Sequence, residues 1–212
     1  MYLSSFRIGN CPDRFVELAR ARLRAAVIAN AMDAAPSEIR SDGVERELSA
    51  LTALGLVADE LDLREHFGSD GAVASELRRY DILWLRGGNV FMLRYALARS
   101  GADAELIRLL AKDAVVYSGY SAGPCVLAPT LRGLEAVDSP GVVGELYGDQ
   151  PIWEGLGVID YAIVPHVDSP DHPESAALGL VAQQYRQWGT RHTTLRDGEV
   201  LIIDGTTQFV CR

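Results

Sequence analysis

At 212 residues, with 48% hydrophobic and 23% charged residues and a formal net charge of −9, the chain has the composition of a soluble globular protein of one domain. Its acidic residues are spread along the whole length, which argues against nucleic acid or an anionic membrane as partner, and no apolar run approaches the ~18 residues of a membrane-spanning helix. Three widely spaced cysteines, Cys11, Cys125 and Cys211, without a Cys-x-x-Cys, read as neither a disulfide framework nor a zinc site, and with no signal-peptide core at the N-terminus the expected setting is the reducing cytoplasm.

In chain order, residues 2–8 read as a first strand. Pro12-Asp13 opens a short helix with Phe15, Leu18, Ala19 and Arg22 at helical spacing. The apolar run 25–29 is a buried parallel strand. It ends in Asn30-Ala31-Met32-Asp33, where such sheets place functional loops. Residues 41–54 give the clearest helix, with Val44, Leu48 and Leu51 on one stripe and Gly55 as its stop. A strand over 57–63 and a helix over 72–79 follow. The strand 81–85 runs straight into Arg86-Gly87-Gly88-Asn89. Helices over 90–99 and 104–112 precede a strand over 114–117. Residues 132–154 show little periodicity and read as a long excursion. The strand 158–164 leads into Pro165-His166-Val167-Asp168, and a helix spans 174–188. The segments 192–195, 199–203 and 207–210 read as antiparallel strands around Asp197-Gly198 and Asp204-Gly205 turns. This alternation predicts a single α/β domain over residues 1–212, with a mostly parallel sheet and a small antiparallel C-terminal section.

The strand 114–117 feeds Gly119-Tyr120-Ser121-Ala122-Gly123, the nucleophile-elbow pattern of a serine on a sharp strand-to-helix turn. Alone, the five letters fit a plain loop with Ser121 as helix N-cap. Two other strand ends carry matching clusters. Gly87-Gly88 can bring the Gly88 amide beside that of Ala122 as a pair of oxyanion donors, with Asn89 free to cap the next helix. His166, straight after an apolar strand and a proline, is the candidate base; His172 is a rival close in sequence. In a parallel sheet the carboxyl ends of the strands share one side, so nucleophile, base and oxyanion donors can converge. A metal reading of His166, Asp168, Asp171 and His172 lacks any supporting helical spacing, so no metal is expected. The carboxylate that orients the base is open among Glu135, Asp138, Asp160 and Asp168.

These motifs, in this order and spacing, resemble the serine peptidase family of peptidase E (aspartyl dipeptidase) and its relative cyanophycinase. The resemblance rests on residues 84–93, on Gly119-Tyr120-Ser121-Ala122-Gly123 with the following 128–132, and on Pro165-His166-Val167-Asp168. It implies a three-layer sandwich of the class I glutamine-amidotransferase type with flavodoxin-like topology. It also implies hydrolysis through an acyl-enzyme on Ser121 without metal or cofactor, His166 as base, and Gly88 and Ala122 as oxyanion amides. The acidic member of peptidase E falls on Ala136, which passes that role to Glu135, or else to Asp138. Arg86 stands where the family shows a glycine, to pair with an acid of the protein or to bind a substrate carboxylate, and joins Asn89 and Tyr120 as candidates for substrate contact. Peptidase E reads a substrate aspartate with an arginine soon after its histidine, whereas residues 167–184 hold no Arg or Lys; the Asp-X preference is therefore not carried over. The expected substrate is a small peptide or amino-acid-derived amide, and a homodimer is left open. The alternatives are a catalytically impaired binding member of the fold and a cyanophycinase-like or other amide or ester hydrolase.

Overall fold

The computed structural model describes residues 1–20, 23–69 and 71–212. Strand β1 (Tyr2–Ser4) is followed by helix α1 (Pro12–Ala19), β2 (Arg24–Ile28), α2 (Ser37–Ala53), β3 (Val57–Glu60), α3 (Ala72–Leu77) and β4 (Ile82–Leu85). Helices α4 (Val90–Ser100) and α5 (Ala102–Ala111) lead to β5 (Val116–Tyr120), α6 (Ala122–Cys125) and α7 (Gly141–Tyr147). The chain closes with β6 (Ala162–Val164), α8 (Ser175–Trp188), β7 (His192–Thr194), β8 (Val200–Asp204) and β9 (Thr207–Cys211). Arg22, placed by its spacing on the first helix, lies outside the described residues.

Seven strands form one sheet in the order β3-β2-β4-β5-β1-β8-β9. The first five in this order are parallel, and β8 and β9 run antiparallel at one edge. Strand β4 shows why the centre is buried on both faces. Leu83 and Leu85 belong to one apolar cluster, and Ile82 and Trp84 to the other, as the two-residue period of a strand requires. Phe15 of α1 and Leu51 of α2 cover the second face. Buried residues of α3, α4, α5 and α8 cover the first. The result is the predicted three-layer α/β arrangement with an antiparallel C-terminal edge.

Three expectations are corrected. Strand β7 is not part of the antiparallel edge; it pairs in parallel with β6 in a separate two-stranded sheet. The 14-residue helix α8 makes the crossover that a parallel pair needs. The long excursion contains α7, which buries Val143. Finally, Cys11 and Cys211 form a disulfide across a sequence separation of 200 residues, while Cys125 is a free, buried thiol. Wide spacing in sequence hid that pair because the sheet brings α1 under the last strand. Among the described residues no helix is long and apolar enough to cross a membrane.

Closing so long a loop constrains the unfolded chain strongly. Reduction, or Cys11→Ser, is expected to lower unfolding stability by about 2–5 kcal/mol. Urea titrations with and without reductant read this directly. Identical midpoints would show that the bond contributes nothing to the fold.

Candidate active site

The carboxyl ends of β1, β2, β4 and β5 open on one cleft of about 340 Å³, whose lining includes Phe6, Met32, Gly88, Ser121 and His166. This is the edge of a parallel sheet where ligands bind. Ser121 follows β5 with φ 53° and ψ −109°, a backbone region that costs energy for a residue with a side chain. The elbow can form because Gly119, at φ +151°, lies so close to β4 that a Cβ would sit 2.2 Å from the Leu85 carbonyl oxygen. On the neighbouring strand end, Gly88 has φ +146°, and a Cβ there would sit 2.6 Å from the Ala31 carbonyl oxygen. Gly88 lines the cleft beside Ser121. Ala122 is the first residue of α6, a position whose amide has no acceptor within its own helix.

His166 arrives from the smaller sheet, directly after β6 and Pro165, and only 1% of its surface is exposed. Its Nε2 lies 3.1 Å from Ser121 Oγ and its Nδ1 lies 2.6 Å from Asp197 Oδ1. A carboxylate only accepts, so Nδ1 carries the proton, and in the neutral ring Nε2 is left as acceptor for the serine hydroxyl. Burial holds the His166 imidazole below the ordinary histidine value. Asp197 pulls the other way, and the neighbouring His172 adds to the lowering. The ring is thereby kept in the neutral form that can take a proton.

Asp197, not Glu135 or Asp138, holds the ring. Glu135 is exposed and accepts from the Gly133 amide at 2.5 Å. Asp138 accepts from the Val90 amide at 2.8 Å, at the start of α4. Burial pushes its carboxyl up to about 7, with the Val90 amide opposing and Glu174 adding. Asp160 pairs with Arg191. Asp197 lies in the turn between β7 and β8, and its amide donates to Ser169 Oγ at 2.8 Å. The Asp197-Gly198 dipeptide is a common hairpin signal, and that bland reading concealed the carboxylate.

Ser5 was also missed. Fully buried after β1, its hydroxyl accepts from the His166 amide at 2.8 Å and approaches Asp197 Oδ1 at 3.0 Å. No sequence signal separates it from an ordinary core serine.

The other candidates have mixed placements. Asn89 caps α4, its side chain accepting from the Phe91 and Met92 amides. The Tyr120 hydroxyl donates at 2.9 Å to Glu47, which is 3% exposed and also accepts from the Trp84 indole at 2.9 Å. Arg86 Nε lies 3.8 Å from the same carboxylate, and one of its terminal nitrogens donates to the Gly87 carbonyl at 2.9 Å. Arg86 therefore pairs with an acid of the protein, while Arg86 and Tyr120 still line the cleft. His166, His172 and Glu174 bring potential ligand atoms within 4.8 Å of one another. However, the two imidazole planes lie 1° from parallel, so their in-plane lone pairs run side by side and do not converge on one ion.

The sequence matches peptidase family S51 over residues 26–210. It is 30% identical to an uncharacterized peptidase of Listeria monocytogenes over 131 residues, 62% of this chain and 60% of that one. It is 34% identical to a protein named peptidase E of Streptomyces coelicolor over 158 residues, 71% of this chain and 60% of that one. The chain thus spans about three fifths of the length of these relatives. In structure, a candidate peptidase E from Listeria monocytogenes EGD-e superposes with a TM-score of 0.81 at 23% identity, covering 100% of this chain and 96% of that one. A peptidase from an acI-B1 actinobacterium gives 0.67 at 17% identity, covering 99% and 86%. These likenesses show a shared fold. The family match over most of the chain shows more: the protein belongs to peptidase family S51.

Proposed function

We propose that the protein is a serine peptidase that hydrolyses short peptides through an acyl-enzyme on Ser121. The observation that carries this reading is the continuous hydrogen-bonded chain Ser121–His166–Asp197 at the open end of the sheet. Ser121 Oγ attacks the scissile carbonyl while His166 Nε2 takes its proton. The same proton is then delivered to the leaving amine as the C–N bond breaks, and water repeats the sequence to release the acid. Asp197 fixes the tautomer and stabilises the imidazolium. On this reading the Gly88 and Ala122 amides receive the charge that develops on the carbonyl oxygen. Arg7 and Arg46 line the cleft together with Glu174, so a substrate's terminal carboxylate and ammonium both find opposite charge. This favours short zwitterionic peptides as substrates.

The test is covalent labelling with a fluorophosphonate, mapped by peptide mass, alongside turnover of a dipeptide library. Modification of Ser121 and release of free amino acids are the expected results. Folded protein that neither labels nor hydrolyses any member would instead be a binding protein built on the same fold.

A further inference from the structure

We propose that Arg86 is a positioning residue for the oxyanion site: its guanidinium grips the Gly87 carbonyl and so fixes the peptide whose other end is the Gly88 amide. This rests on the reading of that amide as a donor to the developing oxyanion. A trans peptide is planar, with its C=O and N–H on opposite sides, so whatever holds the Gly87 oxygen also aims the Gly88 N–H. Arg86 Nη1 donates to that oxygen at 2.9 Å in a buried bond. The chain on either side is anchored separately: the Arg86 amide donates to the Ile28 carbonyl at 3.0 Å and the Asn89 amide to the Ala31 carbonyl at 2.9 Å. The two glycines are hemmed in as well. A Cβ on Gly87 would sit 2.7 Å from the Tyr120 ring and 2.9 Å from Ser121 Cβ, and one on Gly88 would sit 2.6 Å from the Ala31 carbonyl oxygen. What these contacts leave loose is rotation of the peptide between the two Cα atoms, the rotation that a Gly-Gly pair permits most freely.

The guanidinium is itself seated. The Arg86 side chain is 9% exposed, and its Nε lies 3.8 Å from Glu47, a carboxylate already held by the Trp84 indole and the Tyr120 hydroxyl at 2.9 Å each. Gly43 and Glu47 stand one turn apart on α2, which puts them on one face. The bare Gly43 leaves room for the guanidinium: a Cβ there would come within 2.8 Å of Nη2 and 2.9 Å of Nε. Charge adds to geometry. A cationic donor on the Gly87 oxygen polarises the peptide and makes the Gly88 N–H a stronger donor. Both effects grow as the substrate oxygen gains charge, so they act on the transition state far more than on the bound substrate.

The test uses the double variant Arg86→Met/Glu47→Gln, which removes the grip without stranding a buried charge, beside Arg86→Lys, which keeps one cationic donor. On a peptide that wild type hydrolyses, the double variant is expected to lose about 10²-fold in kcat with KM little changed, and Arg86→Lys to recover part of that loss. Gly43→Ala suits a helix but crowds the guanidinium, and is expected to lower kcat in the same direction; it decides the matter if the double variant does not fold. Unchanged kcat in the folded variant would overturn the proposal. So would a raised KM at unchanged kcat, the result that loss of a substrate-carboxylate contact would give. Crystal structures of wild type and the double variant read the peptide without any turnover: the Gly87 carbonyl is expected to turn away from its wild-type direction, and an unmoved carbonyl would overturn the proposal. Loss of all hydrolysis and labelling in wild type would instead strike at the peptidase reading, and the two crystal structures would still decide what holds the peptide.

Discussion

Replacing Ser121 with alanine is expected to lower kcat by about 10⁶-fold and to abolish fluorophosphonate labelling, while the unfolding midpoint stays close to that of wild type. The two halves of this expectation have separate causes. In the proposed mechanism the hydroxyl forms the acyl bond, and neither water nor the free thiol replaces it. Cys125 is buried, faces the Ile163 carbonyl at 3.3 Å and has its thiol pushed far up by burial, so it cannot act as a substitute nucleophile. The backbone, by contrast, is held by its surroundings. The residue 121 amide bonds the Ser4 carbonyl at 3.3 Å, and Gly119 packs against Leu85. Alanine must take the same positive φ at a similar cost. Turnover within tenfold of wild type, on any peptide that wild type hydrolyses, would remove Ser121 from the chemistry.

Asp197→Asn is expected to lower kcat by about 10⁴-fold with little change in KM. An amide at this position can donate to Nδ1, which lets the ring carry its proton on Nε2 instead; Nε2 then faces Ser121 as a donor and cannot accept its hydrogen. Glu135→Gln, on the exposed side chain that bonds the Gly133 amide, should leave kcat near wild type. Asp138→Asn should have a far smaller effect than Asp197→Asn, because an asparagine carbonyl can still accept from the Val90 amide. If Asp138→Asn matched the loss and Asp197→Asn did not, the carboxylate role would return to the segment after the elbow.

The sequence carried the main sheet and two thirds of the hydrogen-bonded chain, because those parts depend on local signals. Short apolar strands bounded by glycine or polar residues announce themselves by composition. The turns after β4 and β5 require glycines at close backbone contacts, and those glycines are visible as motifs. The acidic partner carries no such mark. It sits in an Asp-Gly turn after β7, a strand of three residues too short to show a period. Its arrival depends on β7 pairing with β6 across α8, a non-local choice that no window of sequence records. Ser5 and the Cys11–Cys211 bond were invisible for the same reason: each joins residues about 160 or more positions apart. His172 was legible as a neighbour of His166 but not as its stacking partner, since the fold-back depends on positive φ at His166 and Asp168.

The separation of the seven-stranded sheet from the two-stranded one divides the hydrogen-bonded chain unequally. His166 and Asp197 both leave the smaller sheet, after β6 and β7, and Val167 is tied to Leu195 across it at 3.0 Å. Ser121 belongs to the larger sheet, and Ser5 is the stitch between them. Asp197 is also tied to the larger sheet, since the Gly198 and Glu199 carbonyls accept from the Asn10 and Ser5 amides at 2.8 and 3.0 Å. The turn that carries Asp197 is therefore held from both sheets, and the alignment of imidazole and serine is fixed where the two sheets are joined.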